Sequence, residues 1–184
     1  MKLRPSLAVL LLFLAAAAVT SAAQQAQDPA VRPVCVFFLR HAETAASTET
    51  NRDPALSEIG GKRAAALARM LGSSGVTQLY ASEYQRTQQT LAPLAAKTGL
   101  EVEVISARDA TAQLDALRQL APGSVAVVAG HSNTIPALVS GLGEPAQGLV
   151  DGSLAHDSYD RMFLVVVPGV DGAEARTLEL GYGR

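Results

Sequence analysis

The sequence predicts an α/β domain, a three-layer sandwich with a mainly parallel central sheet, helices on both faces and a C-terminal antiparallel hairpin. Three observations predict it. The apolar runs at 34–39 and 125–129 are short, continuous and rich in β-branched or aromatic residues, as strands covered on both faces are. Between them, segments of helical period alternate with short strand-like runs, the order of crossover units. Last, 162–167 and 175–180 flank Pro168-Gly169-Val170-Asp171-Gly172 as the arms of a hairpin.

Before the domain comes a segment that is read apart from it. Lys2 and Arg4 precede an apolar stretch from Leu7 to Val19, and the small residues Ser21-Ala22-Ala23 follow. That is the order of a secretory signal peptide, expected to span 1–23 and to be cleaved near Ala23. An uncleaved amino-terminal anchor is the alternative, although the apolar run is shorter than the ~20 residues of a spanning helix. Residues 24–33 carry Pro29 and Pro33 and form a polar lead. The domain is then 34–184.

Within the domain, the strand at 34–39 contains Cys35, the only cysteine of the 184 residues, which is expected to behave as a small buried hydrophobe. Residues 43–54 have no apolar period and read as a loop. Ser57 caps a helix whose apolar positions Ala64, Leu67, Ala68 and Leu71 follow the helical period up to Gly72. A strand at 76–81 leads into Ser82-Glu83-Tyr84-Gln85, which has the form of a capping box with Ser82 at the cap. The next helix stops before Gly99. A half-exposed strand at 101–105 and an amphipathic helix at 111–120 follow, and Pro122-Gly123 ends that helix. After the buried strand at 125–129, Gly130-His131-Ser132-Asn133 introduces a helix at 135–139 with Pro136 in its first turn. Residues 141–157 read as a loop.

Composition excludes several function classes. Removal of 1–23 takes away two basic residues and no acid, so the net charge moves from −2 to −4. That argues against nucleic-acid binding, which leans on basic patches. After cleavage no stable membrane anchor is expected.

In a parallel sheet the polar clusters Arg40-His41, Ser82 to Arg86 and Gly130-His131 fall on one rim, where open α/β sheets hold their ligands. Two histidines, two arginines and helix amino termini there suit a phosphoryl group, because arginine offers a planar fork of donors and a helix start offers free amides. A neutral histidine is also a competent nucleophile near pH 7. A metal site is disfavoured. His41, His131 and His156 lack ligand spacing, and the flanking arginines repel a cation. By spacing alone, Arg40 and His41 could equally finish a strand and Arg86 could be a solvated helix residue. His156 reads as a solvated loop residue that at most helps Tyr159 wall the substrate entrance.

Four blocks carry a resemblance. Leu39-Arg40-His41-Ala42-Glu43-Thr44, Leu56-Ser57-Glu58-Ile59-Gly60, Tyr80-Ala81-Ser82 with Arg86-Thr87 and Thr90, and Gly130-His131-Ser132-Asn133 together resemble the histidine phosphatase superfamily, the phosphoglycerate-mutase-like fold. The resemblance implies a metal-independent phosphatase with no cofactor. It implies that His41 accepts the phosphoryl group, that Arg40, Arg86 and His131 form the phosphate pocket, and that water hydrolyses the phosphohistidine. It also implies an acid that protonates the leaving oxygen, for which Asp109 after the third strand is the candidate and Glu83 the rival. Two departures stand out. Ala42 replaces the family's usual glycine, and Ser132 follows the second histidine where the acid-phosphatase branch has an acid, which favours the small mutase-like branch. The expected substrate is a phosphorylated small molecule or an envelope sugar. The alternatives are a catalytically weak phosphate-binding or scaffold protein and a phosphohistidine protein phosphatase.

Overall fold

The computed structural model describes residues 31–170 and 172–183, so the expected signal peptide and most of the lead lie outside the described residues. One six-stranded sheet organises the rest. In chain order the elements are β1 (Val34–Arg40), α1 (Glu58–Leu71), β2 (Gln78–Ala81), α2 (Gln85–Thr98), β3 (Val102–Val104), α3 (Ala110–Arg118), β4 (Val125–Gly130), α4 (Thr134–Leu142), β5 (Arg161–Val167) and β6 (Arg176–Gly181). Across the sheet the order is β3-β2-β4-β1-β5-β6. The first four of these strands are parallel, and β5 and β6 run antiparallel at one side.

Alternation along the strands splits the core in two. Val36 and Phe38 of β1 point to one face, where they join Val128, Phe163, Leu117 of α3 and Ile135 and Leu138 of α4. Leu39 points to the other, with Leu79, Val127, Met162, Leu67 of α1 and Leu91 and Leu94 of α2. Successive side chains of a strand alternate between faces, so a run without polar interruption requires a cover on each side. The three layers follow from this pattern. Cys35 is only half-buried, and its thiol is pushed up by that burial.

Two element ends differ from expectation for identifiable reasons. Helix α4 runs through Gly141, which the sequence pattern takes for the start of a loop. A β-carbon there would meet Leu114 Cδ1 of α3 at 2.7 Å, so this glycine serves close helix packing and not termination. Ser82 is the second correction: helix α2 starts after Tyr84, which makes no side-chain cap. Asp53, from the loop after β1, takes the position a cap would fill by accepting a hydrogen bond from the Gln85 amide at 3.0 Å.

Candidate active site

Parallel pairing sets the site. Arg40 at the end of β1 registers with Gly130 at the end of β4, and Ala81 at the end of β2 registers with Ala129, so three strand ends share one rim. The His41 amide extends the ladder by donating to Gly130 O at 2.8 Å. The two imidazoles then sit edge to face, with centroids 5.5 Å apart.

His41 is 7% exposed, and its Nδ1 lies 2.8 Å from the Ala42 carbonyl. A carbonyl only accepts, so Nδ1 carries the proton and Nε2 keeps its lone pair. Burial, then the positive charge of Arg40, the neighbouring His131 and the charge of Arg86, push this imidazole down to about 4, although the bond to Ala42 acts the other way. Ala42 itself is fully buried. Its amide donates to Thr90 Oγ1 at 2.9 Å, and Thr90 is anchored in turn on the Arg86 carbonyl.

The second histidine is fixed at both nitrogens. His131 Nδ1 faces Arg86 Nη2 at 3.5 Å and can only accept from it, which leaves Nε2 to donate to Ser82 Oγ at 2.9 Å. Ser82 is buried and bonded also to Thr87 Oγ1, so the residue expected to cap a helix orients a histidine instead. Burial and then Arg86 push His131 down to about 4, against the opposing charge of Glu83.

Each arginine of the site is held from a distant part of the chain. Arg40 donates to Ala155 O at 3.2 Å and His156 O at 2.8 Å, reaches Tyr159 Oη at 3.2 Å, and packs 4.1 Å over the Tyr159 ring. Its Nε is buried without an acceptor among the described residues, and an anion would supply one. Burial pulls the Arg40 guanidinium below its ordinary value. Arg86 pairs with Asp53 at 3.1 Å and lies 4.2 Å over Tyr84. Asp53 therefore clamps both the start of α2 and the Arg86 fork. No local sequence signal marks it, because its partners are more than thirty residues away.

Glu43 has a structural task. Its carboxylate takes a forked ion pair from Arg63, which holds its carboxyl below the usual range, and Ser57 and Gly60 keep it in place. The Ser57 amide donates to Glu43 O at 2.9 Å, and a β-carbon at Gly60 would come within 2.0 Å of that oxygen. The block Leu56 to Gly60 thus closes the turn that follows His41.

The two candidate proton donors are differently placed. Asp109 is exposed and caps α3, accepting from the Ala112 amide at 2.9 Å, and it does not line the clefts beside His41. Glu83 is also exposed, likewise lines neither cleft, and accepts from the Ala107 amide at 2.7 Å. Slight burial raises its carboxyl, but that amide, its own backbone and the charges of His131 and Arg108 outweigh the effect and lower it. Glu83 therefore shares a field with His131.

Two clefts meet at His41 and Arg86. One, of about 380 Å³, is walled by Tyr84, Arg108, His131 and Asn133. The other, of about 420 Å³, is walled by Arg40, Thr44, Ser47, Arg52, His156 and Tyr159. His156 is exposed at that second mouth. Among the described residues, no group of three or more His, Cys, Asp or Glu is arranged to hold a metal ion.

Comparison with known proteins places the fold. Residues 36–109 match the model of the histidine phosphatase superfamily (branch 1). Among solved structures, the protein histidine phosphatase SixA complexed with tungstate superposes with a TM-score of 0.61 at 17% identity, covering 80% of this chain and 96% of that one. A mycobacterial glucosyl-3-phosphoglycerate phosphatase gives 0.59 at 16%, covering 81% and 98%. A structure described as mycobacterial hydrolase 2 gives 0.55 at 20%, covering 80% and 89%. At these identities the likeness is one of fold. No curated protein matches the chain.

Proposed function

We propose that the chain, of which residues 36–109 match the model of the histidine phosphatase superfamily (branch 1), is an exported, metal-independent phosphatase that hydrolyses phosphate monoesters through a phosphohistidine on His41. One observation carries the reading. His41 is neutral, its Nδ1 proton is committed to a backbone carbonyl, and its Nε2 lone pair stands beside two arginines and a second histidine.

In the proposed reaction the phosphate dianion lies among Arg40, Arg86 and His131. His41 Nε2 attacks phosphorus, the bond to the leaving oxygen breaks, and that oxygen takes a proton from a carboxylic acid. The Ala42 carbonyl keeps the Nδ1 proton and so supports the positive ring of the N-phosphorylated histidine. Water then attacks phosphorus while the carboxylate takes its proton, the N–P bond breaks, and inorganic phosphate leaves a neutral His41. Positioning and charge stabilisation do most of this work, as phosphoryl transfer requires. Glu83 is the donor we assign, on its electrostatic coupling to His131; its carboxyl is held low, so it must take up a proton before it acts, whereas Asp109 caps its own helix. Solved relatives hold phosphate-like anions: one glucosyl-3-phosphoglycerate phosphatase structure is a complex with inorganic phosphate, and the SixA structure contains tungstate.

Ala42, the feature that favours a weak phosphate-binding protein, fits without displacing the site. Its amide reaches Thr90 and its carbonyl holds His41. Export is supported by Lys2, Arg4, the apolar run and Ser21-Ala22-Ala23. The substrate class is a phosphorylated small molecule or an envelope sugar.

Quenching the mature protein with a radiolabelled phosphate ester in the presence of chelator should leave an acid-labile, base-stable label that His41→Ala lacks. Turnover that persists in His41→Ala would overturn the mechanism. Amino-terminal sequencing of the full-length chain after expression tests export, and an intact Met1 in the cytosol would refute it.

A further inference from the structure

We propose that the cleft between residues 44–54 and 155–159 is a leaving-group subsite that selects phosphate monoesters carrying a second anionic group, with Arg52 as the cation that meets it. The proposal rests on the phosphatase reading above and adds the substrate class.

The argument begins with pairing. Arg63, Arg118, Arg161 and Arg176 each lie within 4 Å of a carboxylate, at 2.6, 3.6, 2.5 and 3.7 Å. Arg52 makes no hydrogen bond or ion pair among the described residues, and it lines the 420 Å³ cleft beside His41. Its backbone is not free to wander. On one side Asn51 closes a turn with Thr48, exchanging amide and carbonyl bonds at 3.1 and 3.2 Å; on the other Asp53 is tied to Arg86 and the Gln85 amide. An unpaired cation is thus held at the lip of the site by two anchored neighbours.

The phosphate does not need this charge. Arg86 stands beside His41 at the point where both clefts meet, His131 lines the other cleft, and the Arg40 fork is tied to the Ala155 and His156 carbonyls. No carboxylate lines the Arg52 cleft, and His156 adds a second exposed donor opposite. Its volume falls in the range of small-ligand sites, about 300–1,000 Å³. The other cleft also has no lining carboxylate and has its own arginine, Arg108, but the charge of Glu83 acts on Arg108 and His131 there and offsets it. The net attraction for a second anion therefore lies on the Arg52 side.

Two esters of similar leaving-group acidity test this: 4-(phosphonooxy)phenylacetate, which carries a carboxylate, and 4-ethylphenyl phosphate, which does not. At low ionic strength, where exposed charges are least screened, the mature protein should favour the carboxylate ester in kcat/KM by about threefold to tenfold, the range of an arginine fork on an exposed carboxylate. Arg52→Gln should bring the ratio to about one, and Arg108→Gln should leave it standing. A ratio near one for the wild type, or one that survives Arg52→Gln and is lost in Arg108→Gln, would overturn the assignment. Binding of the corresponding non-hydrolysable phosphonates, followed by calorimetry, reads the same ratio without turnover. If neither ester is hydrolysed while the phosphonate ratio depends on Arg52, the phosphatase reading fails and the subsite stands. Hydrolysis of both at equal rates has the opposite meaning.

Discussion

The ends of β1 and β4 lie side by side and each delivers a histidine, both neutral with values near 4, yet the two rings are built for different tasks. Among the described residues the His41 ring makes one hydrogen bond, donated by Nδ1 to the adjacent Ala42 carbonyl, so its other nitrogen stays open. His131 has Ser82 on one nitrogen and Arg86 on the other, so its ring is locked. The contrast teaches that an open ring and a locked ring, the nucleophile and the electrostatic partner of the mechanism proposed above, are set apart here by hydrogen-bond partners and not by basicity.

The sharpest way to break the comparison is to exchange the two losses. His41→Ala should abolish the phosphoenzyme and lower turnover by about 10⁴-fold or more, since nothing else supplies an in-line nucleophile. His131→Ala should cost about 10- to 10²-fold while still forming the labelled intermediate, because it removes the ring that aims Arg86 and leaves the nucleophile proposed here in place. Equal losses measured by rapid quench would mean that the rings share a single role.

A smaller effect separates the carboxylates around the locked histidine. Glu83→Gln should slow alkyl phosphate hydrolysis by about 10²-fold and 4-nitrophenyl phosphate hydrolysis by no more than about threefold, because nitrophenolate leaves without a proton. Asp109→Asn retains a capping side chain and should move both rates alike. A selective loss of alkyl phosphate turnover in Asp109→Asn would hand that residue the donor role.

Asp53 tests how the arginine beside His131 is aimed. Asp53→Asn keeps an acceptor for the Gln85 amide but weakens the hold on Arg86, so kcat should fall by about tenfold with KM little changed, the signature of lost transition-state alignment. A change in KM alone would make Arg86 a docking residue.

The smallest effect is thermodynamic and treats the two rings as equals. Each histidine is depressed from 6.5 to about 4 in the fold, so between these values the unfolded chain binds protons that the folded chain does not. Their contribution to stability is complete above pH 6.5 and is lost as pH falls toward 4. Melting temperature should decline across that window, and His41→Gln should flatten the decline. A profile unchanged by His41→Gln would mean that the His41 ring is solvated.

Several features were legible without coordinates because they depend on local pattern. Buried runs marked β1 and β4, and parallel order then implied that Arg40, His41 and His131 would converge at one rim. Helix α1 and its Ser57 cap follow from periodicity and side-chain chemistry over a few residues. Other features depend on contacts across long stretches of chain, which no local pattern encodes. Ser82 has the spacing of a cap, yet its partner is His131, 49 residues on, because β2 and β4 are neighbours. Arg40 is held by carbonyls 115 and 116 residues away, and Arg86 by Asp53 from a segment with no periodicity. Residue type and order determined which groups reach the rim of the sheet. Only tertiary packing decided which nitrogen stays free, which arginine is paired and which is left unpaired, since each of these is settled by a neighbour that the chain brings back from far along its length.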